Sequence, residues 1–96
     1  MEKEDKNEAS IEGKVIEILP VKKVGKDKDK LFQQFVVSTR NGKYENQVLI
    51  NSWGKMTGVT NTLNVGDNIS IKANISSKRR GKEWTTDITV FTINIK

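Results

Sequence analysis

The chain has 96 residues, 34% hydrophobic and 30% charged, with a formal net charge of +5. That is enough for one modest core and too little for two domains. It contains no cysteine and no histidine, which removes disulfide scaffolds, Cys/His zinc sites and Ser-His-Asp or Cys-His catalytic sets.

Residues 1–10 are polar, charged and aperiodic, and read as a flexible arm ahead of a single domain over residues 11–96. The arm lacks the apolar core of a signal peptide, and no stretch reaches membrane-spanning length. The expectation is a soluble, cytoplasmic protein without membrane contact. Residues 11–19, IEGKVIEIL, read as a first strand with Gly13 as a bulge or bend, and Pro20 ends it. Residues 21–30 follow as a charged loop with five lysines and two aspartates.

The second predicted strand is 31–39, LFQQFVVST. Alternation puts Phe35, Val37 and Thr39 on one face and Phe32, Gln34 and Val36 on the other. Asn41-Gly42 is a hairpin-turn dipeptide. The third strand, 44–52, sets Val48 and Ile50 against Leu49, Asn51 and Trp53 on the opposite face. Residues 54–63 then place Met56, Val59 and Leu63 at helical spacing, although Gly58 and three threonines predict a short helix.

After a turn at Asn64-Val65-Gly66-Asp67, Ile69, Ile71, Ala73 and Ile75 alternate with Ser70, Lys72, Asn74 and Ser76 in a half-buried fourth strand. A basic turn spans 77–82, and the fifth strand runs to the end. Its apolar parity switches between Val90 and Phe91, which predicts a bulge or bend there. Strand, strand, strand, short helix, strand, strand is the layout of an all-β, five-stranded OB-fold Greek-key barrel with one helix between strands 3 and 4.

Specific residues carry a resemblance. Trp53-Gly54-Lys55-Met56, then Leu63-Asn64-Val65-Gly66-Asp67, an Ile-alternating strand, a basic loop and Trp84-Thr85-Thr86-Asp87 are similar to the second half of bacterial and phage single-stranded DNA-binding proteins. The first half, GKVIEILPV, a lysine-rich loop and QFVVST, resembles an uncharacterised group of short OB-type domains. Together they cover about residues 11–95. The resemblance implies non-sequence-specific binding of single-stranded DNA in support of replication, recombination or repair, without catalysis or a cofactor. It also implies a homo-oligomer, dimer or tetramer, paired through first strands. Members of that family carry a long tail with an acidic tip for recruiting partners. This chain stops at Lys96, so recruitment through such a tail is not expected.

Unpaired nucleic acid offers a charged backbone and exposed base faces, which a basic groove and aromatic rings take up. OB folds bind across strands 2 and 3, between the loops after strands 1 and 4. Both loops are basic here, and Lys26, Lys28, Lys30, Lys78, Arg79, Arg80 and Lys82 are the candidate phosphate contacts. Lys55 joins them beside Trp53. Trp53 matches an aromatic position of the family that resembles a base-stacking site, and Phe32 has outward parity. Trp84 lies beside the basic loop with the parity of Thr86 and Ile88, which read as inward, and Tyr44 lies at the strand 2–3 hairpin. Phe35 and Phe91 read as core. Two other readings share these residues: an RNA-binding OB domain, and a structural or protein-interaction OB domain.

Overall fold

A strand that is wet on one face and buried on the other must curl to bury its apolar face, and a closed barrel achieves this without a second sheet. The computed structural model of the chain describes residues 7–41 and 44–96. The strands are β1 (Glu8–Ile18), β2 (Lys22–Val24), β3 (Lys30–Asn41), β4 (Tyr44–Trp53), β5 (Asn68–Arg80) and β6 (Glu83–Ile95), with helix α1 (Met56–Thr60) between β4 and β5. The sheet order is β1-β5-β6-β4-β3-β2, and an added β1–β3 pairing closes the five long strands into the OB-type barrel. The extra strand comes from the lysine loop. Lys22–Val24 folds back on Lys30–Phe32, so part of that segment is a hairpin.

The inward faces supply the core: Val15, Phe35, Val37, Ile50, Leu63, Ile69, Ile71 and Val90 form one buried cluster. β5 alternates as its sequence predicts, with Ile69, Ile71 and Ala73 buried. Among the described residues no helix is long and apolar enough to cross a membrane.

Several details differ from the sequence reading. β1 begins at Glu8, because Glu8, Ala9 and Ser10 pair with Asn74, Ala73 and Lys72 of β5; a backbone ladder needs no apolar side chains. Residues 1–6 and the Gly42 turn position lie outside the described residues. The extra residue of β1 is Ile16, since Val15 pairs with Val37 and Glu17 with Val36. Gly13 serves close approach instead: a Cβ there would sit 2.3 Å from the Ser38 carbonyl oxygen and 2.6 Å from Val37 Cγ1.

The parity switch in β6 is a bulge. Ala73 pairs with Val90 and Lys72 with Thr92, leaving Phe91 without a cross-strand partner. Phe91 is consequently 41% exposed instead of core, while Phe35 is fully buried. α1 is five residues long, and its buried members are Thr57 and Thr60; Val59 faces out. The helix docks on polar groups. Gln33 is buried and donates to the Leu19 carbonyl at 2.9 Å and to Asn61 Oδ1 at 3.2 Å. Thr60 Oγ1 donates to Gln33 Oε1 at 2.6 Å and lies 3.1 Å from the Ser52 hydroxyl. A valine would leave these acceptors unpaired, so threonine is the residue the site takes.

Candidate nucleic-acid interface

The backbone ladder between β4 and β6 is one parallel pair, Asn51 with Thr89. The barrel is therefore only partly closed along that line, and an open groove of about 340 Å³ lies over it. Its lining alternates along four strands: Phe32 and Gln34 of β3, Asn51 and Trp53 of β4, Ser76 and Lys78 of β5, Asp87 and Thr89 of β6. Cross-strand partners project from the same face. The register aligns Phe32 with Trp53, Gln34 with Asn51, Asn51 with Thr89, and Ser76 with Asp87.

The rings of Phe32 and Trp53 lie with centroids 4.4 Å apart and planes at 46°. Phe32 is half-buried and Trp53 is 43% exposed, so the phenyl braces the indole while the indole keeps a free face. Gly54 takes φ +58, a conformation that favours glycine, and donates its N–H to the Leu31 carbonyl at 2.9 Å. This ties the end of β4 to β3 and holds Trp53 in place. Beside the rings a polar relay crosses three strands. Gln34 Nε2 donates to Asn51 Oδ1 at 2.9 Å, and Asn51 Nδ2 donates to Asp87 Oδ1 at 3.4 Å.

Beyond Ile75 on β5, whose N–H donates to the Asn7 carbonyl at 2.8 Å, and Thr89 on β6, the two strands pair only with each other among the described residues. The sequence reads 77–82 as a turn; it is a two-stranded, solvent-exposed ribbon closed by Gly81-Lys82. Alternation gives the ribbon two unlike faces. Lys78 and Arg80 share the groove face with Ser76. Arg79 and its cross-strand partner Trp84 lie on the other. There the Arg79 guanidinium stands 6.0 Å from the Trp84 ring centroid, and its Nε donates to the Gly81 carbonyl at 2.9 Å.

A family model described as a domain of unknown function, DUF3127, matches residues 10–94. The chain belongs to the DUF3127 family. This DUF3127 domain is also similar in fold to solved single-stranded DNA-binding proteins. The single-stranded DNA-binding domain of a Synechococcus sp. protein matches with a TM-score of 0.75 and 14% identity, covering 96% of this chain and 98% of that one. The mitochondrial single-stranded DNA-binding protein Rim1 of S. cerevisiae matches with a TM-score of 0.77 and 14% identity, covering 96% of each chain. The second single-stranded DNA-binding protein of Mycobacterium smegmatis matches with a TM-score of 0.73 and 16% identity, covering 95% and 89%. At these identities the likeness is one of fold. No curated protein sequence matches the chain.

Of the residues singled out in the sequence, the DUF3127 fold brings Phe32, Trp53 and Lys78 into one groove. Lys30 has the parity of Phe32 on β3, and Arg80 has that of Lys78 on β5. Lys55 is exposed two residues past Trp53, where α1 begins, and Lys82 sits in the ribbon turn. Arg79 and Trp84 are not brought to the groove. Trp84 is 67% exposed, because the ribbon has left the barrel and has no inside for it to face. Lys26 and Lys28 occupy the turn between β2 and β3, away from the groove lining. The side chain of Tyr44 lies outside the described residues.

Sequence reasoning missed Gln34, Asn51, Ser76, Asp87 and Thr89 as groove residues. Lys22, one of the lysines of the basic loop, pairs with Phe32 across β2 and β3. Gln34 and Asn51 carried a signal, standing two positions from Phe32 and Trp53. Asp87 and Thr89 carried none, because only the closure of β6 against β4 brings them there. Among the described residues no three metal-ligating side chains cluster.

Proposed function

We propose that this domain binds single-stranded DNA in the groove over the β4–β6 line, without strict sequence specificity, in support of DNA replication, recombination or repair. The observation that carries the reading is the half-exposed Trp53, braced by Phe32 in a groove that also holds Lys78. One indole face offered beside cationic side chains takes a base and its phosphate together. Lys22 and Lys30 on one side, and Lys78, Arg80 and Lys82 on the other, provide the charge. The fold's likeness to proteins named for single-stranded DNA binding supports the same reading.

The test is quenching of Trp53 fluorescence by oligo(dT), followed in a Trp84→Phe background at low and high salt. Quenching that salt reverses is expected; unchanged fluorescence with no gel shift overturns the reading. Competition between matched DNA and RNA strands, with DNA the stronger competitor, is the companion measurement.

The domain is further proposed to act as a homo-oligomer. Residues Glu8–Gly13 pair with β5 on one edge, and their other edge has no backbone partner among the described residues. Such an edge is a template for a second copy. Sedimentation equilibrium at micromolar concentration should give a dimer or tetramer, and a monomer throughout would overturn this.

A further inference from the structure

We infer that the groove reads base edges through the Asp87 carboxylate on its floor and so favours bases with an exocyclic amino group, cytosine over thymine among the pyrimidines. This rests on the single-stranded DNA reading and adds to it. The relay of Gln34, Asn51 and Asp87 has a direction. Gln34 spends an amide N–H on Asn51, and Asn51 spends one on Asp87. The last member is a carboxylate, which can only accept when ionised. It receives one long bond of 3.4 Å. Among the described residues the ion pair is Lys96 with Glu12, elsewhere on the surface, so Asp87 keeps most of its acceptor capacity. Gln34 Oε1 likewise has no hydrogen-bond partner among the described residues. Gln34 and Asn51 each keep a second amide N–H, but Asp87 offers a ligand acceptor oxygens alone.

A carboxylate among phosphate-binding cations also has an electrostatic consequence. It repels the DNA backbone from the middle of the groove and leaves the rim, at Lys22, Lys78 and Arg80, as the place for phosphates. A strand held that way turns its bases inward. There the cytosine N4 amino group meets an acceptor, the pairing that acidic side chains make with cytosine. Thymine instead presents O4, an acceptor facing an acceptor. The edges of unstacked bases are free for such readout.

The experiment compares short dC and dT oligonucleotides of equal length, at a pH where cytosine is unprotonated, on the wild-type protein and on Asp87→Asn. The readout is the ratio of dT to dC dissociation constants, divided by the same ratio for the variant. That quotient cancels the strands' own stacking. It should be roughly tenfold, with dT affinity in Asp87→Asn equal to wild type or higher, since a repelling charge is gone. A dC strand carrying N4,N4-dimethylcytosine, which lacks the amino protons, should lose the advantage on the wild-type protein. A quotient near one, with dT still bound, overturns the inference while leaving the binding reading standing. Failure of wild-type protein to bind either strand at low salt overturns the binding reading and the inference with it.

Discussion

Trp53 is held by two neighbours and still stays 43% exposed. Phe32 lies against it, and Gly54 anchors its backbone to β3. Replacing Trp53 with alanine should weaken oligo(dT) binding by about 1–3 kcal/mol, the worth of one stacked base, as read by fluorescence anisotropy; unchanged affinity would remove the ring from the site. Two other residues matter for stability. Gly13→Ala forces a Cβ into the Ser38 carbonyl and Val37; because the nearest atom is backbone, the cost should be about 1–3 kcal/mol in urea unfolding. Thr60→Val keeps the shape but leaves Gln33 Oε1 unpaired in a buried site, at a cost of about 1–3 kcal/mol by the same measurement. The outward placement of Trp53 was readable in the sequence, from its parity with Leu49 and Asn51. The weight of Thr60 was not, since helical spacing pointed to Val59 and nothing local announced a buried glutamine beneath the helix.

At the scale of elements, the β5–β6 ribbon decides which basic residues serve the groove. A loop would have let Lys78, Arg79, Arg80 and Lys82 all swing toward one strand of DNA. A ribbon sorts them by alternation, with Lys78 and Arg80 on the groove face and Arg79 folded against Trp84 on the other. The combined change Lys78→Gln and Arg80→Gln should flatten the dependence of log affinity on log salt by about 0.7 for each charge lost. Arg79→Gln should leave that slope nearly unchanged. Equal effects from both variants would show that the ribbon does not sort its charges. The bulge at Phe91 is the opposite case. The parity switch between Val90 and Phe91 announced it in the sequence, yet the burial of Phe91 followed the bulge's geometry and not its hydrophobicity.

For the whole molecule, the proposed path gathers cations from β2, β3 and the ribbon. If about four phosphates are neutralised, the log–log salt slope for oligo(dT) should be roughly −3; affinity indifferent to salt would remove the electrostatic part of the reading. The sequence by itself determined the strand faces, the long strands' order, the turn before β5 and the site of the β6 bulge. Each of these depends on neighbours along the chain, through the two-residue period of a strand or the backbone demands of a turn. The tertiary structure alone decided that Asp87 and Thr89 share a groove with Trp53, that Trp84 does not, and that threonines face inward from α1. Those outcomes depend on which strands meet when the barrel closes, and β4 meets β6 across more than thirty residues of chain at the single pair Asn51–Thr89. A pairing that distant is chosen by the burial of the whole core at once, so no local pattern in β4 or β6 records it.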